Sequence, residues 1–145
     1  MSTIVVDANI TLALVVPLKY SNQAEEQFQR WSSKGMQFAA PALWGYEVVS
    51  ALRKAVAAEV LAEGEADRAV RDIWALGVEE IAGTIEGHRR ALAWSMRLGQ
   101  TAAYDAQYLV VAEDLEAQMW TADRRLFRAA KAAGVDWMHW VGETA

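Results

Sequence analysis

Residues 101–123, TAAYDAQYLVVAEDLEAQMWTAD, limit what this chain can fold into more than any other stretch. The first half predicts a helix beginning near Ala102 that is apolar on nearly every side, through Ala103, Ala106, Leu109, Val110, Val111 and Ala112. A helix without a polar face is buried against another layer of structure. One ionisable side chain, Asp105, interrupts it in the first turn. A carboxylate brought into such surroundings needs a hydrogen bond, an opposite charge or a metal, because desolvating it alone costs too much. After a short break, a strand is expected at residues 118–120, and the turn behind it ends on a second acid, Asp123. Both acids therefore fall where the backbone reverses at the edge of an apolar layer.

The remainder of the chain has the bulk to surround such a helix. Its 145 residues are expected to form a single domain over 1–145, and 54% of them are apolar at a mean hydropathy of +0.02, which excludes a disordered chain. With no cysteine, disulfides and thiolate metal sites are out. The apolar run at residues 10–18 is too short to span a bilayer and no signal peptide is visible. The expectation is a cytoplasmic protein without a membrane partner. A net charge of −5 argues against a nucleic-acid partner taken alone. If four acids share one metal site, however, the other 15 nearly balance 14 bases, and phosphates would be met through cations.

Read in order, strands and helices alternate. Thr3–Val6 is a β-branched run suited to a buried parallel strand, ending in Asp7-Ala8-Asn9. Residues 10–16 predict a short helix closed by Pro17, and residues 23–33 a second, capped by Ser21 or Asn22. A strand at 37–40 leads to Pro41, expected in the first turn of a helix over 42–58. That helix carries Trp44, Val48, Leu52 and Val56 on a wide stripe, with Glu47 on its margin. Helices at 63–76 and from Thr84 to about 98 flank a possible strand at 78–82. A helix over 124–133, a C-cap at Gly134 and a strand around 135–141 complete the chain. Such alternation predicts an α/β layered domain with a short, mainly parallel sheet.

Four acids share a property that periodicity does not require. Asp7 and Asp123 follow strands, Glu47 lies in the second turn of the helix after a strand, and Asp105 in the first turn of the central helix. In an open parallel sheet such positions converge on the carboxyl edge, where ligands bind. Each acid alone has a simpler reading: Asp7 and Asp123 as helix caps, Glu47 as a solvated residue, Asp105 as a complement to the helix dipole. Together, four like charges need something positive among them. Without cysteine and with only two scattered histidines, the oxygen-seeking cations Mg²⁺ and Mn²⁺ are the candidates.

The segments VVDAN, PALWGYEVVSAL, TAAYDAQYLVVAE and TADRRL resemble the PIN domain, most of all the VapC-type toxins of toxin–antitoxin systems. The resemblance implies a three-layer α/β/α fold and an endoribonuclease. In it Asp7, Glu47, Asp105 and Asp123 match the acidic metal-binding quartet, Asn9 the polar position after the first acid, and Thr101 a frequent Ser or Thr. Ser50 stands where many relatives have Asn, placed to orient Glu47, and Phe127 stands where some carry a further acid. One or two Mg²⁺ ions, with Mn²⁺ as substitute, would activate water against an RNA phosphodiester. The resemblance further implies a homodimer and a cognate antitoxin protein.

Other features carry two readings each. Arg124, Arg125 and Arg128, with Lys131, form a basic helix face that is either simply solvated or contacts the RNA backbone beside the metals. His88 is expected to pack on an inward face with Ile85, Leu92 and Met96, and His139 likewise in a terminal strand. Trp137 and Trp140 are either core or a partner patch. Two rival functions use the same acids: a PIN-like scaffold that has lost catalysis, and a receiver-type phosphorylation domain. The second would want an acidic pair around the first strand's end and a late lysine. Asp7 stands alone, and TADRR has no such lysine.

Overall fold

The structure is a computed structural model of the chain, and it describes residues 2–143. Five strands, β1 (Thr3–Val6), β2 (Gln37–Pro41), β3 (Glu79–Ile81), β4 (Gln118–Thr121) and β5 (Met138–Trp140), form one sheet in the order β3-β2-β1-β4-β5. Every pairing is parallel, so the sheet is wholly and not merely mainly so. Side chains alternate across β1: Val5 joins the core on one face, Ile4 and Val6 the core on the other. The larger core takes side chains from α3 (Leu43–Ala57), α4 (Glu63–Trp74), α5 (Ile85–Arg97), α6 (Tyr104–Leu115) and α7 (Arg124–Ala132). The smaller one is closed by α2 (Ser21–Ser33), whose Phe28 and Trp31 meet Phe38. The short α1 (Ala8–Leu12) straddles the two. The result is the expected α/β/α sandwich.

Helix α6 lies where its composition demands. Ala106, Tyr108, Leu109, Val110, Val111 and Ala112 are all buried, between the sheet and α5. It begins at Tyr104 and not near Ala102, because residues 101–103 form the bend that joins it to α5. Pro41 is likewise displaced from its expected place. It ends β2 opposite Ile81, and the N–H of Ala42 reaches the Ile81 carbonyl at 2.9 Å. A strand end tolerates a residue with no N–H to give. Residues 13–16 form turns after α1 in place of a helix running to residue 16. At the second helix, Ser21 does not cap: its Oγ accepts from the Leu18 N–H and donates to the Val16 carbonyl, tying down the preceding loop. Thr84 does cap α5, accepting from the Gly87 N–H at 3.0 Å.

The inward face of α5 differs from expectation. Ala91, Trp94 and Ser95 are buried, whereas Ile85, Leu92 and Met96 face outward, Ile85 with 81% of its surface exposed. Trp94 reaches across to α6, its Nε1 donating to Glu113 Oε1 at 2.7 Å, with the small Ala91 and Ser95 beside it, and the Ile85, Leu92 and Met96 stripe is left outside. His88 is exposed with it, bonded to Gln107 through Nδ1 at 3.1 Å. His139 is partly buried and stacks on Trp120 at 5.0 Å, and burial lowers its pKa. Trp137 packs edge-on against Trp94, and Trp140 meets Tyr20 and Phe127, so both belong to the packed interior's margin. Among the described residues, no helix is long and apolar enough to cross a membrane.

Candidate functional site

The strand order reverses between β1 and β4. From β1 the chain moves outward to β2 and β3; it then crosses back to lay β4 and β5 on the other side. Connections leaving neighbouring strands in opposite directions open a crevice at their carboxyl ends. This order also differs from the 2-1-3-4-5 order of flavodoxin-like receiver domains, which removes that rival. Asp7 is the first residue beyond β1, its N–H bonded to the Trp120 carbonyl of β4 at 3.1 Å. Asp123 lies two residues beyond β4.

Asp7 occupies the N-cap position of α1 but makes no capping hydrogen bond. Its Oδ2 instead accepts from Thr121 Oγ1 at 3.0 Å and from Asn9 Nδ2 at 3.3 Å. Thr121 Oγ1 also accepts from the Asp123 N–H, and Asn9 Oδ1 from the Ala122 N–H at 2.9 Å. These bonds brace the turn after β1 against the turn after β4. Asp123 does cap, with Oδ1 accepting from the N–H groups of Arg125 (2.9 Å) and Leu126 (3.2 Å).

The other two acids come from helices. Trp44 is fully buried and donates through Nε1 to Thr11 Oγ1 at 3.1 Å, fixing α3 against α1. Glu47, three residues on, is thereby held on the side of Asp7 and accepts at Oε1 from the buried Tyr108 hydroxyl at 2.6 Å. Asp105, in the first turn of α6, accepts at Oδ2 from Gln100 Nε2 at 3.0 Å.

Electrostatics tie the acids together. Asp7 is only 5% exposed, and burial, reinforced by the charges of Asp105 and Glu47, pushes its carboxyl up to about 7 against the pull of the Thr121 hydrogen bond. Burial, then Asp105, raises Glu47, with Tyr108 opposing. Burial, then Asp123, raises Asp105, with Gln100 opposing. Among the described residues no lysine or arginine forms a salt bridge with any of the four. Nor, among those residues, do three or more Asp, Glu, His or Cys side chains make a ready-formed cage for a metal ion. The donor set still fits a hard dication. It consists of oxygens only, its charge is uncompensated, and Mg²⁺ is commonly held through one or two carboxylates with water completing its shell.

The remaining predicted residues are distributed unevenly. Ser50 lines the groove beside Glu47, yet the Glu47 hydrogen bond goes to Tyr108. Thr101 lines it beside Asp105, yet the bond to Asp105 comes from its neighbour Gln100. Of the three arginines, Arg125 reaches the groove, Arg124 lies over the Trp140 ring at 5.2 Å, and Arg128 is exposed on α7 outside it. Phe127 packs on Trp140 and supplies no further acid. The groove also holds residues the sequence reading passed over. Lys54 follows Glu47 by two helical turns, and Tyr46 and Tyr104, each just before an acid, are 78% and 63% exposed. Tyr108 had a signal, three residues after Asp105 and so on the same helical side. Gln100 and Thr121 had none.

A three-layer domain with a wholly parallel sheet and carboxylates gathered at its switch point defines the class of protein. No protein-family model matches the chain. Ribonuclease VapC3 of Pyrobaculum aerophilum is 34% identical over 127 residues, spanning 85% of this chain and 91% of that one. Among solved structures, a toxin–antitoxin complex from Klebsiella pneumoniae superposes with a TM-score of 0.66 at 18% identity, covering 94% of this chain and 96% of the other. VapBC2 from Rickettsia felis, bound to a DNA fragment from its promoter, gives 0.61 at 14% identity over 88% and 92%. A Pyrobaculum aerophilum structure gives 0.64 at 21% over 88% and 79%. The chain belongs to the PIN-domain family, in its VapC branch.

Proposed function

We propose that the protein is a metal-dependent endoribonuclease, the toxin of a toxin–antitoxin pair, hydrolysing RNA phosphodiesters in the acidic groove. The observation that carries this reading is the gathering of four carboxylates from four different elements, coupled to one another and, among the described residues, in no salt bridge with a lysine or arginine. The likeness to Ribonuclease VapC3 supports RNA as substrate. Asp7, Glu47 and Asp105 would hold a first Mg²⁺, or Mn²⁺ in its place, and Asp123 would assist it or hold a second. When bound, such an ion supplies a nucleophile at neutral pH and charge for the leaving oxygen.

The protein's own residues do the positioning. Thr121 and Asn9 aim the Asp7 carboxylate, and Tyr108 aims Glu47. Lys54 and Arg125 line the groove where a nucleic-acid backbone would run, and the exposed rings of Tyr46 and Tyr104 offer faces on which unpaired bases stack. The outward apolar stripe Ile85, Leu92 and Met96 suits a protein partner, either a second copy or an antitoxin.

The test is cleavage of a mixed tRNA and rRNA pool by protein freed of copurifying partners, with Mg²⁺, with Mn²⁺ and with EDTA, beside Asp105→Asn. Discrete fragments that require metal and vanish in the variant are expected. Undiminished cleavage by Asp105→Asn would overturn the assignment. Absence of both cleavage and metal binding would leave a PIN-fold scaffold.

A further inference from the structure

Helix α5 ends in a complete Schellman motif. The Gly99 N–H bonds to the Met96 carbonyl at 3.1 Å and the Gln100 N–H to the Ser95 carbonyl at 2.9 Å. Gly99 sits at φ +69, a conformation that favours glycine. Gln100 thus occupies the second position past the helix cap, where an apolar side chain usually folds back onto the helix. Here the side chain turns the other way, into the groove, and its amide nitrogen donates to Asp105 Oδ2 at 3.0 Å. The orientation of the amide is set by its partner: reversed, it would put two acceptors against each other.

That orientation leaves Gln100 Oε1 buried with no hydrogen-bond partner. Buried acceptors are satisfied almost everywhere in folded proteins, and an exception needs a reason. An apolar side chain at this position would carry no such penalty, so glutamine here does not serve packing. Among the described residues, its amide N–H₂ is the one donor bonded to the Asp105 side chain.

We infer that Gln100 is a positioning residue: it holds the Asp105 carboxylate in one rotamer at the groove, ready for a divalent cation, at some cost to the stability of the cation-free fold. This rests on the metal-dependent reading of the site. The cost and the benefit fall on different measurements, which separates the role from a structural one.

The test uses full-length wild type, Gln100→Leu and Gln100→Met, each followed by calorimetric Mn²⁺ titration and by thermal melting in EDTA. Mn²⁺ affinity is expected to fall about 10- to 100-fold in both variants, the range for losing a group that orients a ligand. Their melting temperatures in EDTA should stay close to the wild type's, because losing the orphaned carbonyl offsets losing the hydrogen bond to Asp105. A lowered melting temperature with Mn²⁺ affinity within twofold of wild type would make Gln100 merely structural and overturn the inference. If wild type itself binds no Mn²⁺, the metal-dependent reading falls, and this one with it. Gln100→Met keeps the unbranched stem and serves if the leucine variant does not fold.

Discussion

At the scale of single residues, the site is a set of carboxylates held by neutral donors. Asp7 has the sharpest consequence. Its carboxyl titrates near 7 when folded, against an ordinary value of 3.8. Between those values the folded protein keeps a proton that the unfolded chain has released. Asp7 should therefore make metal-free stability decline as pH rises from about 4 through 7, its own contribution to the slope being at most about 1.4 kcal/mol per pH unit. Urea unfolding in EDTA from pH 5 to 8 checks this, and Asp7→Asn should flatten the slope. Tyr108→Phe removes the hydroxyl bonded to Glu47. Metal affinity or activity should drop roughly 10- to 100-fold, as for other groups that orient a ligand, in a variant that still folds. Unchanged Mn²⁺ binding in a calorimeter would refute that role.

At the scale of elements, Asp123 has two duties that substitution can separate. It caps α7 through Oδ1 and raises Asp105 through its charge. Asn is as good an N-cap as Asp, whereas Ala is not. Asp123→Ala should lose about 1 kcal/mol of stability. Asp123→Asn should keep that stability yet lose metal-dependent cleavage; full activity in the Asn variant would reduce Asp123 to a cap. Element boundaries show where reading a chain by local chemistry stops working. Thr84 and Asp123 cap as their type predicts, because a cap is made within a few residues. Pro41 and the face of α5 were misread, because a neighbouring strand and a neighbouring helix decide them.

At the scale of the molecule, the groove is a concentration of like charge that folding assembles and that, on the proposed reading, a divalent cation would relieve. Saturating Mn²⁺ should stabilise the protein by about 2.7 kcal/mol at one hundred times its dissociation constant. Thermal melting across a Mn²⁺ titration measures this, and a flat response would count against a site of useful affinity. Asp105→Asn should blunt the shift and raise the melting temperature in EDTA, since it removes one of the repelling charges.

The sequence by itself determined the layered α/β class, the buried central helix and the four acids just after strands or in the opening turns of helices. Those follow from hydrophobic periodicity and from the rule that ligands sit at the carboxyl edge of a parallel sheet, both properties of local order along the chain. Only the tertiary structure decided who holds the acids. Thr121 and Asp7 are 114 residues apart, and Tyr108 and Glu47 are 61 apart, so no spacing along the chain relates them. Gln100 is close to Asp105 in sequence, but a glutamine after a helix cap reads as solvated; its role depends on the α5–α6 bend turning it inward. Which oxygen is held, and by what donor, is set by how the layers pack.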